Sequence, residues 1–310
     1  MKCVLVRTNC IGSFASAVVA LAVAIGLSVS THGERVGTQI ETILEAAKDW
    51  ELLGEGFQLT ADSTVDKNGD IYFTDARRNR IYRIDLDGRI AIWKEDSGGA
   101  HGVAFGPDDR LYVCQHDRKR IIAYAPDGKE SIVVEGPQTH HLTVTRGNGI
   151  YFTEPPKHRI WFVDVKGRKR VVASALEWPR SVRVSPDQSL LVVNDPPREW
   201  VWAFTIQPGG SLANRKPFCR LRRAGHSPEV DAGGVAFDAD GFLYVATPIG
   251  VQVCDRTNGV VAVIDRPSGA ESGLANVMFG GRDMRWLYVT DGDRMYRRPV
   301  KRQGAVPWIP

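Results

Sequence analysis

The chain repeats itself. Six stretches share a short strand, a turn rich in Asp and Gly, and a second apolar strand. They read STVDKNGDIYFTD from Ser63, VAFGPDDRLYVCQH from Val103, LTVTRGNGIYFTE from Leu142, VRVSPDQSLLVVND from Val182, VAFDADGFLYVAT from Val235 and VMFGGRDMRWLYVTD from Val277. The landmarks Tyr72, Tyr112, Tyr151, Val192, Tyr244 and Tyr288 recur about every 40 residues with one longer gap, a period that marks a solenoid, a propeller or an array. Each unit continues into a third strand, as in RIYRIDLDG, RIIAYAPDG and RIWFVDVKG, and a fourth, as in IAIWKED, ESIVVEG and KRVVASA. Four strands per unit, closely spaced turns and no helical periodicity describe propeller blades. The expected fold is all-β: a six-bladed β-propeller of four-stranded antiparallel blades. RMYRRPV leaves the last blade one strand short. WELLGEGFQL supplies that strand from the N-terminal side and closes the ring, which hides two unpaired sheet edges.

The expected organisation is a signal peptide over residues 1–30, an N-terminal segment over 31–49, and one propeller over 50–310. Lys2 and Arg7 precede an apolar run from Ile11 to Val29, and Leu27-Ser28-Val29-Ser30 places small residues where a signal peptidase cuts. Cleavage near Ser30 makes the protein secreted or periplasmic, with no membrane contact afterwards; a retained anchor is the alternative. TQIETILEAAKDW suits a short surface helix. Forty basic and 36 acidic residues are interspersed, giving a net charge of only +4. A nucleic-acid binder concentrates its charge in a stripe, so that partner is excluded. Beyond the signal stand Cys114, Cys219 and Cys254, which fit neither a disulfide framework nor a CxxC metal knuckle. Cys114 alternates with apolar neighbours as a buried thiol does, and a Cys219–Cys254 bridge stays open.

GFQLTADSTVDKNGDIYFTD, RLYVCQHDRKRIIAYAPDG and NVMFGGRDMRWLYVTDG make the chain, from Trp50 to Val300, resemble the gluconolactonase, regucalcin and luciferin-regenerating-enzyme family of six-bladed propellers. The resemblance implies a lactone hydrolase with one divalent cation, often calcium or zinc, at the top of the central channel. The sequence departs from that pattern at the four ligand positions, which fall on Ala61, His140, Arg180 and Gly233, with Asp231 two residues before the last. A hard cation needs several oxygen ligands, and these positions offer none. No metal ligand is therefore assigned, and the cofactor is left open. Imidazole suits transition metals, so His101, His116 and His140, with Glu154 or Asp62, form the alternative metal set.

The repeat register aligns Ala61, His101, His140, Arg180, Gly233 and Ala275, one per blade, around the channel mouth. Arginine's planar fork suits a carboxylate or phosphate. Hairpin pairing sets His101 opposite His116, and His141 opposite Glu154, with Cβ atoms about 4.5–5.5 Å apart. His101-Gly102 with a later His116 also resembles the histidine dyad of paraoxonases. A loop-bonding side chain is the competing role for His116, and strand support is the competing role for His141. Phe218–Gly234, in the longer gap, reads as a lid or as an ordinary surface loop.

The expected function is an exported hydrolase of a lactone or sugar-acid ester, with a small-molecule substrate that is anionic or sugar-derived. His101, assisted by His116, acts as general base, because a histidine exchanges protons near neutrality. His140 and Arg180 bind the carbonyl oxygen or an anionic group, with Asp62, His141 and Glu154 lining the substrate site. The alternatives are a non-catalytic anion-binding propeller and a sugar-acid isomerase or lyase.

Overall fold

The computed structural model describes residues 39–223, 225, 231–257, 259–270, 273–306 and 308–309, without the side chain of residue 198. All lie in the compact unit His32–Pro310. The signal peptide of residues 1–30 lies outside the described residues, as does part of the Phe218–Gly234 segment.

Six antiparallel sheets form the blades. Their inner strands are Thr60–Val65, Ala100–Phe105, Leu142–Val144, Ser181–Val184, Val235–Asp238 and Leu274–Gly280, and each touches the next around a closed ring. Glu51–Gly54 pairs with Arg294–Pro299 as the outermost strand of the sixth blade, Glu51 opposite Arg297, so the N-terminal strand closes the ring as the sequence predicts. A short helix spans 39–43. Among the described residues no helix is long and apolar enough to cross a membrane.

The repeated landmark residues act as wedges between blades. Tyr112, Tyr151 and Tyr244 are fully buried. Tyr72 meets Phe105 of the next blade edge-on, with centroids 4.9 Å apart, and Tyr244 meets Phe279 in the same way at 4.8 Å. Each such side chain contributes about 1.5–3 kcal/mol by burial, so the repeat is a packing repeat as much as a strand repeat. The Asp-rich turns cap themselves: Asp66 Oδ1 accepts the N–H groups of Asn68 and Asp70. Gly69 in that turn has φ of +95°, and a Cβ there would lie 2.3 Å from the Gly281 carbonyl oxygen of the sixth blade. Asp75 and Asp195, which end second strands, accept backbone N–H groups from the preceding loops at Gln58, Leu59, Glu177 and Trp178. They serve as caps.

The C-terminal tail does more than trail. Gly304–Ala305 adds a fifth strand to the inner edge of the fifth blade, Ala305 opposite Phe237. Val306 and Trp308 then join Met278 in an apolar cluster and line a small cavity with Thr143 and Arg183 at one end of the ring. The other end, where the inner strands begin, carries the polar residues.

Candidate functional site

Two tiers of side chains stand where the inner strands begin. Ala61, His101, His140 and Arg180 are partly exposed, while Asp62, His141 and Asn276, each one residue later, are buried. Simple alternation would turn those next residues away from their neighbours across the ring. Register shifts between Thr60 and Ser63, between Ala100 and Val103, and between Leu274 and Asn276 break the alternation. A bulge inserts an extra residue and re-aims the side chains beside it.

The exposed tier is a histidine cluster. The His101 ring centroid lies 5.3 Å from that of His116 and 5.0 Å from that of His140, with His116 and His140 6.4 Å apart. His101 is not the direct cross-strand partner of His116, as the hairpin predicts. The bulge intervenes, and Ala100 pairs with Gln115. The rings meet all the same.

The hydrogen bonds of the three rings separate their roles. His116 Nδ1 lies 3.1 Å from the Thr139 carbonyl oxygen, which can only accept, so Nδ1 carries the proton. Its Nε2 then accepts from the Gln138 amide at 2.8 Å. Both nitrogens are committed, so His116 positions its neighbours and does not relay protons. His140 Nδ1 donates to the Arg180 carbonyl oxygen at 3.0 Å, leaving Nε2 as a bare acceptor. A neutral imidazole held this way cannot donate to a substrate carbonyl oxygen, which corrects the role expected for His140. Neither ring nitrogen of His101 has a hydrogen-bond partner among the described residues. Its backbone is held by Thr74 Oγ1, which donates to the His101 carbonyl at 2.8 Å.

Burial sets the charge states. It pushes the His140 ring down to about 3, with His101, His141 and Arg180 adding in the same direction. His101 is also lowered, by burial first and by His116 second. Both rings are therefore neutral near pH 7. His140 binds a proton readily when unfolded and poorly when folded. Its contribution to stability is complete above about pH 6.5 and fades as pH falls toward about 3. The expected loss on going from pH 7 to pH 5 is about 2 kcal/mol. Urea denaturation at the two pH values checks this, and His140→Gln should flatten the dependence.

The buried tier ties blades together across the ring. Asp62 Oδ2 accepts the Val103 N–H of the second blade at 2.8 Å. Its Oδ1 accepts the Ser63 N–H at 2.8 Å and Asn276 Nδ2 of the sixth blade at 2.5 Å. His141 Nε2 of the third blade stands 3.4 Å from Asp62 Oδ1, and His141 Nδ1 accepts the Val182 N–H of the fourth at 3.4 Å. Burial alone would raise the Asp62 carboxyl, but His141, the Val103 N–H and Arg183 outweigh it and hold the group below the usual carboxylate range. Below this tier Arg183 is buried, its Nε donating to the Val235 carbonyl oxygen at 3.0 Å.

The remaining expected residues divide. Arg180 ion-pairs with Asp231 through Nη1, so part of the anion fork is already engaged. Glu154 stays out of the site: its carboxylate accepts the Trp161 indole N–H at 2.8 Å. His141 lies opposite Thr153 instead, with the Thr153 N–H donating to the His141 carbonyl at 2.9 Å. Asn276, Arg183, Gln138 and Thr139 escaped the sequence argument. Asn276 follows Ala275 in the same register as Asp62 and His141, and that repeat position was the available signal.

A cation at the family's four positions does not fit this chain. Arg180 supplies a guanidinium and Gly233 has no room for a ligand, since a Cβ there would lie 2.0 Å from the Ala275 carbonyl oxygen. Ala61 offers no donor, and His140 offers a single nitrogen. Among the described residues no three His, Cys, Asp or Glu groups are arranged to hold a metal, so the alternative set with Glu154 or Asp62 is not assembled.

Fold and site together define a six-bladed β-propeller with histidines gathered at one end of its ring. Residues 147–292, just under half of the chain, match the family described as SMP-30/Gluconolactonase/LRE-like region. No curated protein sequence matches the chain. Among solved structures it is similar to a structural-genomics target assigned to gluconolactonase (TM-score 0.76, 17% identity, 86% of this chain and 97% of that one). It is also similar to a gluconolactonase of Xanthomonas campestris (TM-score 0.74, 20% identity, 84% and 92%). A third is a calcium-binding regucalcin of Agrobacterium tumefaciens (TM-score 0.68, 15% identity, 84% and 98%). At these identities the likeness is one of fold.

Proposed function

We propose that the protein is an exported hydrolase that opens a lactone or a related sugar-acid ester at the histidine end of the ring. The observation that carries this reading is His101. Its ring sits between two histidines whose protons are fixed by backbone carbonyls, yet its own nitrogens have no partner among the described residues. Its lowered affinity for protons keeps it neutral and able to accept one at physiological pH.

In this mechanism His101 takes a proton from water as the water oxygen bonds to the carbonyl carbon. The tetrahedral intermediate collapses, the ring C–O bond breaks, and His101 returns the proton to the departing alkoxide. Arg180, one-third exposed in its side chain, donates to the carbonyl oxygen. His140 Nε2 accepts from a hydroxyl of the substrate, which suits a sugar-derived molecule better than a bare anion. The engagement of Arg180 by Asp231 also weakens the case for an anion pocket. Export is supported by the basic, apolar and small-residue order of residues 1–30.

The test is turnover of a panel of sugar lactones by purified protein, followed by proton release and product mass. Hydrolysis well above the spontaneous rate is expected, with products heavier than substrate by one water. Binding without turnover, or a product of unchanged mass, would replace the hydrolase with the binding propeller or the isomerase.

A further inference from the structure

We infer that Cys219 and Cys254 form a disulfide that joins the fourth and fifth blades. Cys219 lies on the outermost strand of the fourth blade, Leu212–Arg220, opposite Val201. Cys254 lies on the third strand of the fifth, Gly250–Asp255, opposite Leu243. Their sulfur atoms are 2.6 Å apart. Non-bonded carbon atoms rest about 3.5–4.0 Å apart, and sulfur is larger still. The separation exceeds the S–S bond length of about 2.05 Å by only half an ångström or so. The strands already face one another, so bond formation needs side-chain adjustment and no rearrangement of the blades.

The surroundings favour a structural bond over a reactive one. Both cysteines are buried in one apolar cluster with Phe218, Leu221, Val235 and Val245. Burial, and then Cys219 itself, holds the Cys254 thiol well above its ordinary range. Thiolate, the attacking species, is therefore scarce once the blades have packed. Oxidation accompanies folding. The first thiolate attacks a disulfide acceptor, such as oxidised glutathione or the active-site disulfide of a thiol oxidase. A mixed disulfide forms and one acceptor thiol leaves. The second cysteine then displaces the other acceptor thiol, so two protons and two electrons pass to the acceptor. Cys114 is also buried, in a different cluster between the second and third blades, and stays a thiol.

Peptide mapping of the full chain, refolded with oxidised and reduced glutathione and alkylated in denaturant without reductant, tests the bond. The expected result is one cross-linked peptide pair joining Cys219 to Cys254, about 2 Da lighter than the sum of the reduced peptides, with Cys114 alkylated. The melting temperature should fall by about 5–10 °C when reductant is added to the unfolded chain before refolding. Full alkylation of both cysteines in the oxidised sample overturns the inference. So does one equivalent of a soft metal held by the two thiols. Because the mapping uses the wild-type chain, a Cys219→Ser variant that failed to fold would not obscure the answer.

Discussion

On the proposed function, lactone hydrolysis by His101→Ala is expected to fall by about 10²–10⁴-fold, the usual contribution of a positioned general base. The loss should appear in kcat with little change in KM, because the ring acts on the proton of water and not on the bound ground state. The fold should survive, since His101 is partly exposed and only its backbone is held, by Thr74. His101→Gln keeps a polar side chain without a titratable base and should be as inactive as the alanine variant. The acid limb of the wild-type profile should bend below pH 6.5, the ordinary histidine value, because burial and His116 both disfavour the charged ring. His116→Ala, which frees Gln138 and Thr139, should shift the midpoint and lower kcat less than His101→Ala does. Equal activity of wild type and His101→Ala would remove His101 from the chemistry.

Asp62→Ala should cost about 3–5 kcal/mol of stability, the penalty for leaving a buried charge network without its partner. The carboxylate accepts from Ser63, Val103 and Asn276 and stands beside His141, so one side chain ties the first blade to three others. Its removal strands two backbone N–H groups and an amide in a buried space, and it leaves Arg183 without its compensating charge. A drop in melting temperature of roughly 10 °C follows for a chain of this size. Asp62→Asn should not rescue it. The new amide would set a donor against the donors of Val103 or Asn276, and the guanidinium would still lack its counter-charge. A double-mutant cycle with Asn276→Ala isolates the link between the first and sixth blades, and a coupling energy near zero would dissolve it. A loss under about 1 kcal/mol for Asp62→Ala would mean that water reaches the tier and takes over its hydrogen bonds.

The architecture was legible because its causes are local and repeated. Period-two strands, Asp-Gly turns and a wedge residue about every 40 positions specify a blade, and six copies specify the ring. The strand near Glu51 was legible as the closing strand because the last unit lacked its own. The repeat register also places Ala61, His101, His140 and Arg180 together in the partly exposed tier, whereas Gly233 at the same register is buried.

What each site residue does was decided in three dimensions. Bulges at Thr60–Ser63 and Ala100–Val103 undo the alternation that a strand sequence implies, and one residue is enough to re-aim a side chain. Asp62 thereby joined the buried tier, while Glu154 went to Trp161. The carbonyls of Thr139 and Arg180, which select the proton-bearing nitrogens of His116 and His140, are main-chain groups with no signature in the sequence. Asp62 and Asn276 are 214 positions apart and Cys219 and Cys254 are 35 apart, yet each pair is in contact. The repeat in the chain specifies the blades and their order. Tertiary structure alone decided which polar atoms meet, because hydrogen bonds and thiol contacts depend on tenths of an ångström between segments that only ring closure brings together.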